Sequence, residues 1–373
     1  MDNDLMVIDL FNTDYGAYRL LRTRVEKVDK RKGFKNYLIC PDGIWSDKMK
    51  KMGIKVINVN LSNSMKLSDI KYEIKELVKV FKEYKPDIVH THASKPGATG
   101  RIAAKKADVP LIIHQVHGFH FTQYKGIKRK IYEFVEKYLS KYCDILLFQN
   151  MDEYNYCKDN GYEKNSVLRY IGNGIPFEEF KDYIKKDKKF NFDKKRIACT
   201  ARWEGVKNHA MLFDSIKILK EKYSFTNFEL NLYGEGVLEL DLKKKANSMD
   251  INDVINFIGT LDREDIISEI YDSDLSVLTS FKEGKPRALM ESSALGVPIV
   301  ATDVIGTNEV VKNNRNGYLV KLGDSENFAK RIYELLNDSN KWKEFSDNAK
   351  LIAKDEFDEN KTIENIISVY LNG

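Results

Sequence analysis

Short apolar or β-branched runs, each followed by a turn and then by a stretch of helical periodicity, recur along this chain. Runs at 5–10, 37–40, 56–59, 88–91, 111–116, 145–148 and 167–171 read as strands, and the amphipathic stretches 67–84 and 128–142 between them read as helices. From 177 to 196 the text is dense in charge without a periodic apolar face, which predicts a linker. The alternation then restarts, with strands at 197–200, 228–233, 254–257, 275–278 and 297–301. Strands alternating with helices imply parallel sheets covered on both faces. The expectation is an α/β protein of two doubly wound, Rossmann-like domains at 1–180 and 196–355, joined by a linker at 181–195 and followed by a terminal segment at 356–373. Ligands of such folds sit at the carboxyl ends of the strands, here in a crevice between the domains.

Composition narrows the class. The 373 residues are 42% hydrophobic and 31% charged with only 7 prolines, which excludes a disordered or fibrous chain. No apolar run approaches the roughly 20 residues that span a bilayer, and Met1-Asp2-Asn3-Asp4 lacks the basic start of a signal peptide, so a soluble, cytoplasmic protein is expected. Cys40, Cys143, Cys157 and Cys199 are too scattered for a disulfide scaffold or a structural zinc site and read as buried thiols. The net charge of +5 hides an asymmetry of +9 over 1–185 and −4 over 186–373. A basic first half suits anionic lipid headgroups, a phosphorylated substrate or nucleic acid, or is solvated surface; no nucleic-acid recognition motif accompanies it.

The densest cluster of candidate chemistry runs from Ser280 to Asp303. A strand ends before it, Glu283 and Gly284 fall in the turn, Pro286 suits a first helical position, and Gly296 suits the cap that ends the helix. The free amides of that helix start favour a phosphate. Glu283 and Glu291, on the loop and two turns into the helix, are placed to accept hydrogen bonds from sugar hydroxyls. Arg202 and Lys207 lie in another strand-to-helix turn, where an arginine fork and a lysine can clamp a pyrophosphate without a metal. Tyr233-Gly-Glu-Gly236 ends a strand in a turn that allows close backbone approach. Five histidines, His90, His92, His114, His117 and His120, fall within 31 residues. They come without an Asp or Glu at ligand spacing, so a crevice lined by imidazoles is read and no metal is assigned; His90 and His114 read as core residues.

The segment from Glu283 to Glu291 resembles the Glu-x7-Glu motif of family 4 glycosyltransferases, retaining enzymes of the two-domain GT-B fold. Within them the similarity is to the bacterial capsular, exopolysaccharide or lipid-linked oligosaccharide branch, over nearly the whole chain. The resemblance implies that Arg202 and Lys207 hold the donor diphosphate, that Glu283 contacts the transferred sugar and Glu291 the ribose, and that Gly284 with the helix-start residues Ala288 and Leu289 lies at the donor. It places Gly234 and Gly236 near the nucleotide, matches His117 of Val116-His-Gly-Phe-His-Phe121 to the family histidine beside the donor sugar, and brings the last helix, 359–371, back to the first domain. Gly16 stands alone where relatives usually carry two glycines, Lys285 replaces an apolar residue, and Pro176 replaces an aspartate after Gly172-Asn-Gly-Ile.

The expected activity is transfer of a hexose or N-acetylhexosamine from a nucleotide donor, a uridine diphosphate sugar, to a polyprenyl-diphosphate-linked glycan, with no cofactor. The basic, aromatic stretch 124–142 offers peripheral contact with an anionic membrane, or packs its apolar face on the sheet. A sugar-nucleotide epimerase, or a non-catalytic sugar-nucleotide-binding protein, would use the same scaffold.

Overall fold

The computed structural model describes residues 4–62, 64–119, 121 and 124–373. Two compact units emerge, Met1–Gly172 with Asn360–Gly373, and Asn173–Glu359. The first carries seven parallel strands, β1 (Leu5–Leu10), β2 (Phe34–Cys40), β3 (Lys55–Asn58), β4 (Ile88–His92), β5 (Leu111–Val116), β6 (Ile145–Phe148) and β7 (Val167–Tyr170). Their order is β3-β2-β1-β4-β5-β6-β7. The second carries six, β8 (Lys195–Thr200), β9 (Phe228–Tyr233), β10 (Ile255–Gly259), β11 (Leu275–Leu278), β12 (Ile299–Thr302) and β13 (Gly317–Val320), ordered β10-β9-β8-β11-β12-β13. In each sheet the winding reverses beside its first strand, between β1 and β4 and between β8 and β11, and ligands of doubly wound folds bind at the carboxyl ends of strands at such a point.

Strand β13 is absent from the sequence reading. Its first residue explains the miss: a Cβ on Gly317 would lie 2.1 Å from the Ile299 carbonyl oxygen, so the strand opens on a glycine that the neighbouring backbone demands, where a turn would be read. Residues 181–195 are not a free linker but part of the second unit. Phe180 is fully buried in its core, the helix Lys181–Ile184 packs Tyr183 and Ile184 on that core, and the Arg263 guanidinium lies 5.2 Å from the centre of the Phe180 ring. One deep apolar anchor suffices here, and periodicity cannot reveal it.

The last helix, Glu359–Asn372, belongs to the first unit over all but its first residue. Ile363, Ile366, Ile367 and Tyr370 form one apolar stripe and share a core cluster with Val7, Ile88, Ile113 and Ile145. The Tyr370 hydroxyl also reaches His90 Nδ1 at 2.7 Å. All four cysteines are buried and free. Among the described residues no helix is long and apolar enough to cross a membrane.

Candidate active site

Lys207 and Glu283 meet at the switch point of the second sheet. Lys207 closes a short turn, Gly205–Lys207, after β8, and Asn208 takes a left-handed conformation that starts the next helix, His209–Tyr223. Lys207 Nζ lies 2.6 Å from Glu283 Oε1, and the Ser280 hydroxyl donates to the same oxygen at 2.6 Å. Three loops are laced together to hold this pair. Thr279 Oγ1 donates to the Asn208 carbonyl at 3.0 Å, Phe281 N to the Val206 carbonyl at 2.9 Å, Glu283 N to the Ile305 carbonyl at 3.1 Å, and Thr302 Oγ1 to the Ser280 carbonyl at 2.7 Å. A cation and a carboxylate on fixed loops can meet a ligand carrying both anionic and hydroxyl groups.

The neighbouring residues fall into different environments. Arg202 is exposed and pairs with Glu204 at 2.8 Å, so it reaches solvent while Lys207 is largely enclosed. Glu291 is buried on the helix Arg287–Ala294 and faces Arg263 Nη2 at 2.9 Å; Arg263 in turn donates to Glu179 at 2.6 Å. Pro286 caps that helix from outside rather than occupying its first turn. Leu289 is in the core and its amide bonds to the Pro286 carbonyl at 3.1 Å, whereas Ala288, on the same first turn, is half-buried. Gly284 is packed on by the loop at Gly306, where an added Cβ would lie 2.4 Å from the Gly284 carbonyl oxygen. Lys285 turns into the protein, Nζ 3.7 Å from Glu309 and 5.4 Å from the centre of the Phe357 ring, so its cation is matched internally.

Gly234 and Gly236 serve a partner the sequence did not suggest. A Cβ on Gly234, at φ +139°, would lie 2.2 Å from the Ala201 carbonyl oxygen, and one on Gly236 would lie 2.4 Å from that of Trp203. The close approach is to the loop that carries Arg202, joined by Trp203 N to the Glu235 carbonyl at 2.9 Å. These glycines therefore shape the Arg202 loop, whatever else they meet.

In the first unit, His117 stands at the carboxyl end of β5 within a buried polar chain. Its Nε2 is 3.0 Å from His92 Nδ1, and its Nδ1 is 2.6 Å from Gln149 Nε2. His92 Nε2 lies 2.9 Å from Asp9 Oδ1. Asp9 also pairs with Arg24 and accepts from Asn36 Nδ2 at 3.1 Å, and Arg24 Nη1 donates to Gln115 at 2.9 Å. His92 Nε2 either donates to Asp9, and the chain then runs from the Gln149 amide through His117 and His92 to that carboxylate, or accepts from Arg24 Nη2 at 2.8 Å. Both ring nitrogens of His117 are thus engaged. Burial, and then the Arg24 charge, push its imidazole down to about 3, so it is neutral near pH 7. Burial is also the main cause that lowers His90, His92 and His114. His114 is a core residue bonded to Thr91 Oγ1 at 2.9 Å, with room made by Gly97, whose Cβ would lie 2.3 Å from the imidazole. His120 lies outside the described residues.

Asp9 supplies the carboxylate that the sequence reading did not find beside the histidines, and Asp9, His90 and His92 offer ligand atoms within 4.8 Å of one another. Arg24 fills the cationic role there, in contact with Asp9 and with its Nη2 2.8 Å from His92 Nε2. Asp9 sits in a continuous apolar strand and Arg24 in a helix rich in charge, so neither carries a sequence signal. At the first strand-to-helix loop, Gly16 bonds to the Thr13 cap at 3.1 Å, and a Cβ there would lie 2.4 Å from the Phe11 ring.

The chain is similar to proteins of a known family. The model of the family described as "Glycosyl transferases group 1" matches residues 180–352, and that described as "Glycosyl transferase 4-like" matches residues 23–150. An Escherichia coli UDP-Gal:alpha-D-GlcNAc-diphosphoundecaprenol alpha-1,3-galactosyltransferase is 30% identical over 290 residues, 75% of this chain and 73% of its own. A Campylobacter jejuni N,N'-diacetylbacillosaminyl-diphospho-undecaprenol alpha-1,3-N-acetylgalactosaminyltransferase is 27% identical over 359 residues, 90% of each chain. Among solved structures, Anabaena Alr3699/HepE in complex with UDP and glucose superposes with a TM-score of 0.81 at 17% identity, covering 99% of this chain and 100% of its own.

Proposed function

The chain belongs to the group 1, family 4-like glycosyltransferases of GT-B fold, and from that premise we propose that it moves a sugar from a uridine diphosphate donor to a polyprenyl-diphosphate-linked glycan. The sugar is read as a hexose or N-acetylhexosamine, the groups that the Escherichia coli and Campylobacter jejuni relatives are named for transferring. The observation that carries the reading is the Lys207–Glu283 pair at the β8/β11 switch point. A diphosphate entering there exchanges the lysine's carboxylate partner for phosphate oxygens, which frees Glu283 to accept hydrogen bonds from the sugar.

The reaction is proposed to retain anomeric configuration by front-face substitution. The bond from the anomeric carbon to the diphosphate oxygen breaks, the acceptor hydroxyl oxygen bonds to that carbon, and the acceptor proton passes to the departing diphosphate. Lys207 and Arg202 stabilise the developing negative charge in place of a divalent ion, and the first-turn amide at Ala288 flanks the phosphates beside Gly284, whereas the Leu289 amide is already bonded to the Pro286 carbonyl. Glu291 accepts from the ribose while remaining against Arg263. Gly234 and Gly236 act as shapers of the Arg202 loop, and Gly16 of the first strand-to-helix loop in its own unit. His117, whose ring nitrogens are both taken, can accept from a ligand only by releasing Gln149. The excess of basic residues over 1–185 favours work beside an anionic membrane, where a lipid-linked acceptor resides.

A donor screen tests this reading. The full chain is incubated with uridine and guanosine diphosphate sugars, with and without EDTA, and hydrolysis and thermal shift are followed. A uridine-selective response that survives EDTA and disappears in Lys207→Ala supports it; a response indifferent to that substitution removes the clamp from the mechanism.

A further inference from the structure

The helix Gly126–Ser140, in the first unit, leaves an apolar stripe without a packing partner among the described residues. Ile127 is 79% exposed, Ile131 57% and Phe134 71%, and Val135 and Tyr138 are also exposed. Their spacing of four, three, one and three residues puts all five on one side of the helix. Only Leu139 and Ser140 of the helix are fully buried, so it lies on the unit largely through its polar side and its last turn.

The charges are sorted in the same sense. Glu136 is turned inward, 2.7 Å from the buried Arg101 guanidinium, on the side opposite the stripe. Lys130, Lys137 and Lys141 follow one flank of the stripe, Lys128 follows the other, and all four are exposed. Lys128 rests 3.9 Å from the centre of the Tyr124 ring, and Lys141 3.5 Å from that of Tyr138, so stems and aromatic rings build a shoulder on which the cations stand. An apolar ridge edged by lysines, with Glu136 tucked beneath and Glu133 half-buried away from the ridge, complements the boundary between acyl chains and anionic headgroups.

We propose that this helix is a membrane-docking element: Ile127, Ile131, Phe134 and Tyr138 enter the headgroup layer of an anionic bilayer while the flanking lysines pair with lipid phosphates. The proposal rests on the reading of a membrane-borne acceptor for its purpose, but on the helix alone for its evidence. A second copy of this chain is the competing occupant, and it fits less well, because two such faces brought together would oppose their own lysines.

The test is co-sedimentation of the full chain with vesicles of equal parts phosphatidylglycerol and phosphatidylcholine, and with vesicles of phosphatidylcholine alone. Wild type is expected to bind the anionic vesicles and to be released by salt. The pair Ile131→Ser and Phe134→Ser, exposed and so without effect on circular dichroism or melting temperature, is expected to weaken binding by about tenfold or more. Lys128→Glu with Lys130→Glu is expected to abolish the preference for anionic lipid. Unchanged vesicle binding in the serine pair, or no binding by wild type, overturns the proposal. So does sedimentation showing a dimer that the serine pair dissociates. The thermal shift with uridine diphosphate is read in parallel: its loss with vesicle binding intact sinks the donor reading alone, and its survival with vesicle binding absent sinks only the docking helix.

Discussion

Lys207 and Glu283, 76 residues apart in sequence, form an ion pair of 2.6 Å at the carboxyl edge of the second sheet. The Ser280 hydroxyl donates to the same carboxylate oxygen that the lysine meets. Such a pair holds a lysine extended and in place before an anionic ligand arrives, which reduces the reorganisation needed on binding.

The pair makes its two members non-additive. Lys207→Ala is expected to lower kcat/KM by about 100- to 1,000-fold. Glu283→Gln alone is expected to cost about tenfold or more, and the double variant less than the product of the two. Steady-state rates for the four proteins check this; strict multiplicativity means that the two side chains act separately.

Gly234→Ala is expected to damage the Arg202 loop without touching any ligand. The added methyl meets the Ala201 carbonyl, and φ of +139° is unfavourable to any residue with a Cβ. A loss of about 1–3 kcal/mol in stability is expected, with a weakened uridine diphosphate response. Denaturant titration and thermal shift measure the two effects, and an alanine variant as stable as wild type contradicts the packing account.

In the first unit, Asp9 is the only acid in direct contact with Arg24 among the described pairs. Asp9→Leu leaves a guanidinium buried and uncompensated and is expected to destabilise the protein by about 3–5 kcal/mol. Adding Arg24→Leu should restore part of that loss, because it removes the stranded charge. Urea unfolding of the three proteins decides it; no recovery in the double variant means that Arg24 is held by Gln115 and His92 instead.

Acid should unfold this protein through its imidazoles. Burial, and then the Lys207 charge, push His209 from 6.5 down to about 4 in the folded chain, and His117 goes to about 3. The unfolded chain therefore takes up protons first as pH falls, so the stability tied to these groups is complete above about pH 6.5 and is lost on acidification towards the folded values. His209 by itself accounts for about 2 kcal/mol of loss by about pH 5. Urea midpoints between neutral pH and about pH 5 measure the slope, and His209→Leu should flatten it; an unchanged slope assigns the acid sensitivity elsewhere.

Much of the architecture was legible because it rests on short-range regularities. The helix Leu67–Tyr84 and the strands β6, β9 and β11 appear where periodicity and apolar runs place them, and Gly296, at φ +71°, ends its helix as its position suggests. The local settings of the singled-out residues were legible too, since Lys207 and Glu283 fall in turns that follow strand ends and Glu291 falls in the helix after the second of them. Their relationships were not. That Lys207 pairs with Glu283 while Arg202 reaches solvent, and that Glu291 answers to Arg263, depends on which strands lie side by side, and strand order is a long-range property. The same holds for Asp9, invisible in an apolar strand until β1 and β4 are neighbours, and for Phe180, which makes a charged stretch part of a core. Sequence by itself determined most of the element types and the division into two α/β domains, because turns, caps and apolar periodicity act within a few residues. The tertiary structure alone decided the partners, since hydrogen bonds and ion pairs form between groups that distance in the chain keeps apart and only the packing of the sheets brings together.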